Sequence, residues 1–253
     1  MSSRWNELDE ASRQYWSWRS RDFSELRMRE YQGPSHSGLL RLIREVMPVQ
    51  DSPIRALDAG CGAGMLSMLL WEAGCRVTAV DFSSEMLAQA EKNCSEHGIS
   101  GIRFMKMDIR QMDLEEESFD FLISRNVIWT VQHAEEGYRE MYRVLRKGGV
   151  LLNLDANYGA AFLEADRKGE IPSHPTQTLE QLRMRNRIAA GMEVSRRKRP
   201  EWDFSVLWEC GAEEVRCIRH LDCSLGGSPG GSVSGANCEL FAVIAKKPAS
   251  PSS

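Results

Sequence analysis

Three aspartates and one glycine-rich loop carry the chemistry that is legible in this chain. The loop reads Asp58-Ala59-Gly60-Cys61-Gly62-Ala63-Gly64. Glycines in such a run allow a tight turn and let a ligand lie against bare backbone. A dinucleotide fingerprint wants Gly-x-Gly-x-x-Gly, which puts its third glycine where Met65 stands. Asp58 would repel a phosphate at this turn, but it can hold a cationic amine, directly or through water. Asp81 lies 23 residues further on. A carboxylate at the end of the neighbouring strand takes both hydroxyls of a ribose. Asp108 can accept from an adenine amino group. The ligand these acids describe has an amine, a ribose and an adenine, and no phosphate.

For the acids to meet, three strands must end side by side. Ile54–Asp58, Arg76–Val80 and Ile102–Lys106 read as those strands, with Phe119–Ile123 a fourth and Val150–Leu154 a fifth. Helices are expected at Gly62–Ala73, from the Ser83 N-cap to His97, and at Ala134–Leu145 with a stop at Gly148-Gly149. Such alternation implies an α/β fold, a doubly wound and mostly parallel sheet that binds ligands at the carboxyl ends of its strands. Two further strands, Glu214–Leu221 and Cys238–Ala245, are joined by a Gly/Ser-rich loop with no helix between them, so they read as antiparallel.

In these stretches the chain resembles the class I S-adenosylmethionine-dependent methyltransferases of the small-molecule type. The matching runs are Leu57–Gly64, Val77–Ser83, Met107-Asp108-Ile109, Phe119–Val127 and Arg143–Gly149, in the right order across residues 54–155. The resemblance implies a seven-stranded Rossmann-like sheet with an antiparallel last strand, and S-adenosyl-L-methionine as cofactor. It further implies that Gly60, Cys61, Gly62 and Gly64 form the loop under the methionine moiety, and that Asp58 holds its amino group. Asp81 then binds the ribose, Phe82 and Met86 pack on the adenosine, Asp108 and the Ile109 backbone read the adenine edge, and Arg125 offers its carbonyl to the methionine amine. Lys147-Gly148-Gly149 replaces the family's frequent Pro-Gly-Gly.

Methyl transfer from a sulfonium is an in-line displacement, so the protein must bind, orient and exclude water. An amine or hydroxyl acceptor also needs a base. His133, Tyr15, His36 and His174 are the candidates, His133 first and Tyr15 second. Trp18, Asn126, Trp129 and Trp202 are the expected acceptor contacts. Tyr15, Trp16, Trp18 and Arg19 read either as a helix packed on the sheet or as a lid over the sulfonium, where an aromatic face would stabilise the cation. The basic residues Arg183, Arg185, Arg187 and Arg196–Arg199 read as a solvated face, or else as a lid that recruits an anionic substrate.

The chain has 253 residues with 32 basic and 36 acidic side chains, an ordinary globular composition with a net charge of −4. That charge disfavours a nucleic-acid partner, as does the lack of an Asn/Asp-Pro-Pro-Tyr/Phe motif after the fourth strand. A small-molecule acceptor is the expectation. A silent cofactor-binding module or an RNA or protein methyltransferase is the alternative. No apolar run is long enough to span a membrane. Seven scattered cysteines without a Cys-x-x-Cys pair suggest reduced thiols, no metal and a cytoplasmic setting. The expected organisation is a helical lid segment at 1–50, the cofactor-binding core at 51–156, an inserted cap at 157–200, the rest of the sheet at 201–247 and a disordered tail at 248–253. The protein is expected to be a monomer or a homodimer.

Overall fold

The computed structural model describes residues 3–169, 177–219, 221, 232–233, 236–237 and 240–249. His174, Cys223, Cys238, the Gly/Ser-rich loop and most of the tail lie outside them. Seven strands form the sheet: β1 (Arg55–Ala59), β2 (Arg76–Asp81), β3 (Arg103–Lys106), β4 (Phe119–Arg125), β5 (Leu145–Ala156), β6 (Glu214–Arg219) and β7 (Leu240–Lys246). Their order is β3-β2-β1-β4-β5-β7-β6. The first five run parallel, and β7 is antiparallel to both β5 and β6. Strand order reverses between β1 and β4, the point where such sheets open a crevice.

Period-two alternation puts each strand's apolar residues on two faces. Leu122, Leu151, Phe241 and Val243 face one core, with Tyr138 and Met141 of α5 (Ala134–Val144) and Leu207 of α8 (Glu201–Glu209). Phe121, Ile123, Leu152 and Ile244 face the other. There α2 (Ser35–Val46) buries Leu39, Leu42, Ile43 and Val46, the one-sided spacing of an amphipathic helix. Beside it lies α3 (Met65–Glu72). The helix after β2, α4 (Ser84–Glu96), starts as expected at Ser83, whose hydroxyl accepts from the Met86 N–H.

Two expected boundaries move. α3 begins at Met65 because Gly60, Gly62 and Gly64 all hold positive φ and cannot enter a right-handed helix. The helix after β4 ends at Val144, and β5 begins at Leu145, which pairs with Phe119. Gly148 therefore sits inside the strand region, donating to the Lys247 carbonyl, rather than closing a helix.

The N-terminal region is helical, as its aromatics suggested: α1 (Ser3–Tyr31) precedes α2. The stretch between β5 and α8 forms α6 (Tyr158–Arg167), α7 (Leu179–Gly191) and a 3-10 turn at Glu193–Arg196. α7 packs on α1 and α6. Arg199 closes this stretch onto the sheet. Its guanidinium donates to Asp155 of β5 at 2.9 Å and to Asp203 of α8 at 2.7 Å, all fully buried. Burial works against the Arg199 charge, but Asp155 and Asp203 outweigh it and raise its pKa. Tyr138 donates to Asp203, and Asn153 donates to Tyr138, so the network is continuous.

Candidate active site

The glycine loop is held to the end of β2 by its own backbone. Gly60 and Cys61 donate to the Val80 carbonyl at 2.8 and 2.9 Å, and Gly62 donates to an Asp81 carboxylate oxygen at 2.9 Å. The second Asp81 oxygen accepts from the Ser83 N–H at 2.9 Å. Burial pushes Asp81 up to about 6, with the N–H groups of Ser83, Gly62 and Phe82 pulling the other way. Asp58 lies beneath the loop and accepts from the Ser67 hydroxyl at 2.6 Å. Burial raises it to about 7 against the Ser67 bond, and the nearby Asp81 charge adds to the rise.

Over this loop opens a cleft of about 740 Å³, its solvent mouth included, lined by Gly60, Gly62, Asp81, Phe82, Met86, Asp108, Ile109, Arg125 and Asn126. A second lobe of about 360 Å³ shares Phe23, Gly60, Gly62, Arg125 and Asn126 and reaches Asp58 and Cys61. The acids at the ends of β1, β2 and β3 thus converge, and the two lobes suit a nucleoside and an amino-acid arm. A side chain at Gly60 would meet Val127 at 2.4 Å, so only bare backbone passes there. Gly64 lines neither lobe; it turns the chain into α3, against Ala90 of α4. The two lobes, the bare backbone of the loop and the buried carboxylates fit S-adenosylmethionine.

Several residues in this site gave no signal in the sequence. Arg110 ion-pairs with Asp108 at 2.5 Å and with Asp9 of α1 at 2.8 Å, so through Arg110 the end of β3 clasps α1. At the other end of the helix, Glu30 pairs with Arg125 at 2.6 Å and Arg27 at 2.7 Å. Between them Phe23 stands over the loop, 3.2 Å from where a Gly62 side chain would begin. Trp16, which the sequence did single out as a lid candidate, also lines the cleft.

The expected acceptor and catalytic residues fare differently. Asn126 lines the cleft, with positive φ and a buried amide oxygen that has no hydrogen-bond partner. Trp129 is buried among Trp16, Tyr158 and Phe162, its indole N–H without a partner. Trp18 is 46% exposed and does not line the cleft, because the helical turn that aims Trp16 inward aims Trp18 out. Trp202 packs on the Tyr138 ring, 6.1 Å away, as a core anchor. Tyr15 is buried outside the cleft lining, donates to Gln177, and is pushed up by burial, which suits it poorly to act as a base. His133 takes the left-handed position before α5, outside the cleft lining, 3.9 Å from Glu135. Its ring, Glu135 and Glu193 bring ligand-type atoms within 4.8 Å of one another, away from the glycine loop. His36 lies against Glu72.

The basic stretch divides. Arg183, Arg187, Arg196, Arg197 and Lys198 are exposed, but Arg185 and Arg199 are buried. Periodicity carried that signal: Arg185 shares a helix face with Leu182, Ile188 and Ala189. Its guanidinium lies 3.8 Å over the Phe162 ring and donates to Asn186. Burial lowers Arg185 to about 10, although the Tyr15 hydroxyl raises it. A desolvated cation–π contact is worth ~2 kcal/mol, less than the several kcal/mol that desolvating an ion costs.

Residues 57–153 match the family model described as "Methyltransferase domain". The chain is 35% identical over 144 residues to a phosphatidylethanolamine N-methyltransferase of Cereibacter sphaeroides, covering 56% of this chain and 66% of that protein. It is 37% identical over 98 residues to a malonyl-[acyl-carrier protein] O-methyltransferase of Enterobacter lignolyticus, 38% of this chain and 37% of that protein. It therefore spans less than two thirds of either. An S-adenosylmethionine-dependent methyltransferase from Thermotoga maritima superposes with a TM-score of 0.62 at 17% identity, over 92% of this chain and 99% of that one. The phosphoethanolamine N-methyltransferase 2 of Haemonchus contortus, bound to phosphomonomethylethanolamine and S-adenosylhomocysteine, gives 0.59 at 17% identity, over 84% and 52%. With the loop, the three acids and the strand order in place, residues 57–153 are similar to the methyltransferase domain family, and the fold is the one seen in solved S-adenosylmethionine-dependent methyltransferases.

Proposed function

We propose that this protein transfers a methyl group from S-adenosylmethionine to a small-molecule acceptor. The observation that carries the reading is the cleft itself, where Asp58, Asp81 and Asp108 end adjacent parallel strands around a loop that admits only bare backbone. The bound cofactor supplies a methyl carbon already activated on a sulfonium. The chain's own residues do the rest. Asp81 is oriented by two N–H donors, so its outward lone pairs are set for ribose hydroxyls before the ligand arrives. Asp58 would offset an ammonium, and Phe82 and Met86 would pack against an adenosine. Phe23 and Trp16 of α1 close the cleft from above and keep water from the reacting atoms. The acceptor then enters from the Trp16–Trp129 side, held in line with the methyl at roughly 3–3.5 Å.

No histidine lines the cleft among the described residues, and Tyr15 is locked in the core. The geometry therefore favours an acceptor that presents its lone pair without help, such as an unprotonated amine or a carboxylate. Turnover of methyl-labelled cofactor with fractionated metabolite extract tests the reading, together with calorimetry on S-adenosylhomocysteine. Binding without label transfer to any fraction would point to a silent module. Failure to bind would remove the proposal altogether.

A further inference from the structure

Arg185 is a buried charged group that the methyl-transfer reading leaves idle. It is 3% exposed, lies on the face of Phe162, and hydrogen-bonds only to the neighbouring Asn186 amide among the described residues. No described carboxylate forms an ion pair with it, whereas the adjacent Arg19 has Asp22 at 2.7 Å. A guanidinium kept so dry without a counter-charge is costly to fold around. An aromatic face does not replace the lost water. An unfilled donor touches the same ring: the indole N–H of Trp129 is buried with no acceptor among the described residues, and its ring centroid is 5.5 Å from that of Phe162. Trp129 in turn meets Trp16, which lines the cofactor cleft. Phe162 of α6 thus touches both Arg185 of α7 and Trp129, and a chain of ring contacts leads from there through Trp16 to the cleft.

A buried cation without a carboxylate partner and a buried N–H without an acceptor, both among the described residues, call for an acceptor-only, anionic ligand group. Building on the methyltransferase reading, we propose that the methyl acceptor carries an oxyanion, a carboxylate or a phosphate, seated on Arg185 and the Trp129 N–H. The planar fork of arginine suits both groups, and the aromatic walls of Trp16, Trp129 and Phe162 exclude the water that would compete for them. The anion anchors the acceptor, and its reactive atom points back along Trp16 toward the cofactor. Arg185 is thus a specificity determinant, and methyl transfer itself asks nothing of it.

The test uses the full chain saturated with S-adenosylhomocysteine and titrated by calorimetry with malonate, inorganic phosphate and, as the uncharged analogue, malonamide. One of the two anions should bind at least tenfold tighter than malonamide, and which one responds tells carboxylate from phosphate. Arg185→Gln should weaken that anion at least tenfold and shift S-adenosylhomocysteine affinity less than twofold. Trp129→Phe, which keeps the ring and deletes the donor, should weaken it by about threefold or more. Arg185→Met should melt no lower than the wild type, because it removes an uncompensated buried charge. Anion binding no tighter than malonamide, or unchanged in Arg185→Gln, would overturn the inference. So would a marked drop in melting temperature for Arg185→Met, which would make the arginine structural. If S-adenosylhomocysteine itself fails to bind, the cofactor reading falls first and takes this one with it.

Discussion

Asp81 joins two demands in one side chain. Its carboxylate has to be ionised to accept from ribose hydroxyls, yet burial holds it near 6 in the ligand-free cleft. Acidification through that value converts an acceptor into a donor. S-adenosylhomocysteine affinity should therefore hold above neutrality and fall as pH drops below about 6. Asp81→Asn should bind at least tenfold more weakly and lose the part of the fall that sets in near pH 6, keeping the part that Asp58 contributes from about pH 7, which calorimetry across pH 5–8 would register. Asp58 makes a linked prediction. It is raised to about 7 while empty, and an ammonium beside it favours the ionised form. Cofactor binding near pH 6.5 should then release protons, read as a dependence of the binding enthalpy on the buffer's ionisation enthalpy. Gly60 is the third residue of this kind. Its φ of 77° and the 2.4 Å approach of Val127 leave no room for a methyl group. Gly60→Ala should cost about 1–3 kcal/mol of stability by urea titration and most of the cofactor affinity.

The elements divide into those that build the cleft and those that cover it. β1, β2, β3 and β4 place the acids and the loop through their parallel pairing with one another. Beyond their apolar packing, the stretch that carries α6 and α7 is closed onto the sheet by a buried polar junction, where Arg199 bridges Asp155 and Asp203. Removing the cation strands two carboxylates in the core. Arg199→Met should lower stability by about 3–5 kcal/mol, seen as a reduced urea midpoint with the slope unchanged. Sequence periodicity shows why this residue and Arg185 are not surface charges. Arg199 stands four residues before Asp203, the spacing of one helical turn, and Arg185 falls on the apolar stripe of α7. A reading by charge count groups both with Arg183 and Arg187, which do face water.

At the scale of the whole molecule, α1 is the element that couples covering to binding. It touches the cleft at Asp9, Trp16 and Phe23 and is clasped by Arg110 at one end and Arg125 at the other. Both clasps are themselves part of the cleft wall, so a ligand that engages Asp108 or the end of β4 bears on the helix as well. Amide exchange across Asp9–Phe23 should slow when S-adenosylhomocysteine is added, while exchange in β4 and β5 stays as it is. Equal protection with and without ligand would make α1 a fixed wall rather than a lid.

The sequence by itself determined the sheet, the loop and the three acids. Those features depend on local pattern: alternation of apolar residues, glycines where φ is positive, and a carboxylate at each strand end. Even there, the positive φ of Gly62 and Gly64 delayed α3 by three residues, a backbone property that composition does not display. Only the tertiary structure decided what lies opposite the loop. Trp16 rather than Trp18 faces the cleft, Tyr15 and Trp202 belong to the core, and His133 sits to one side. Arg110 and Asp9 meet across 101 residues of chain. Contacts of that kind arise from how helices dock on a finished sheet, and one turn of a helix moves a side chain from ligand to solvent with no change in its neighbours along the chain.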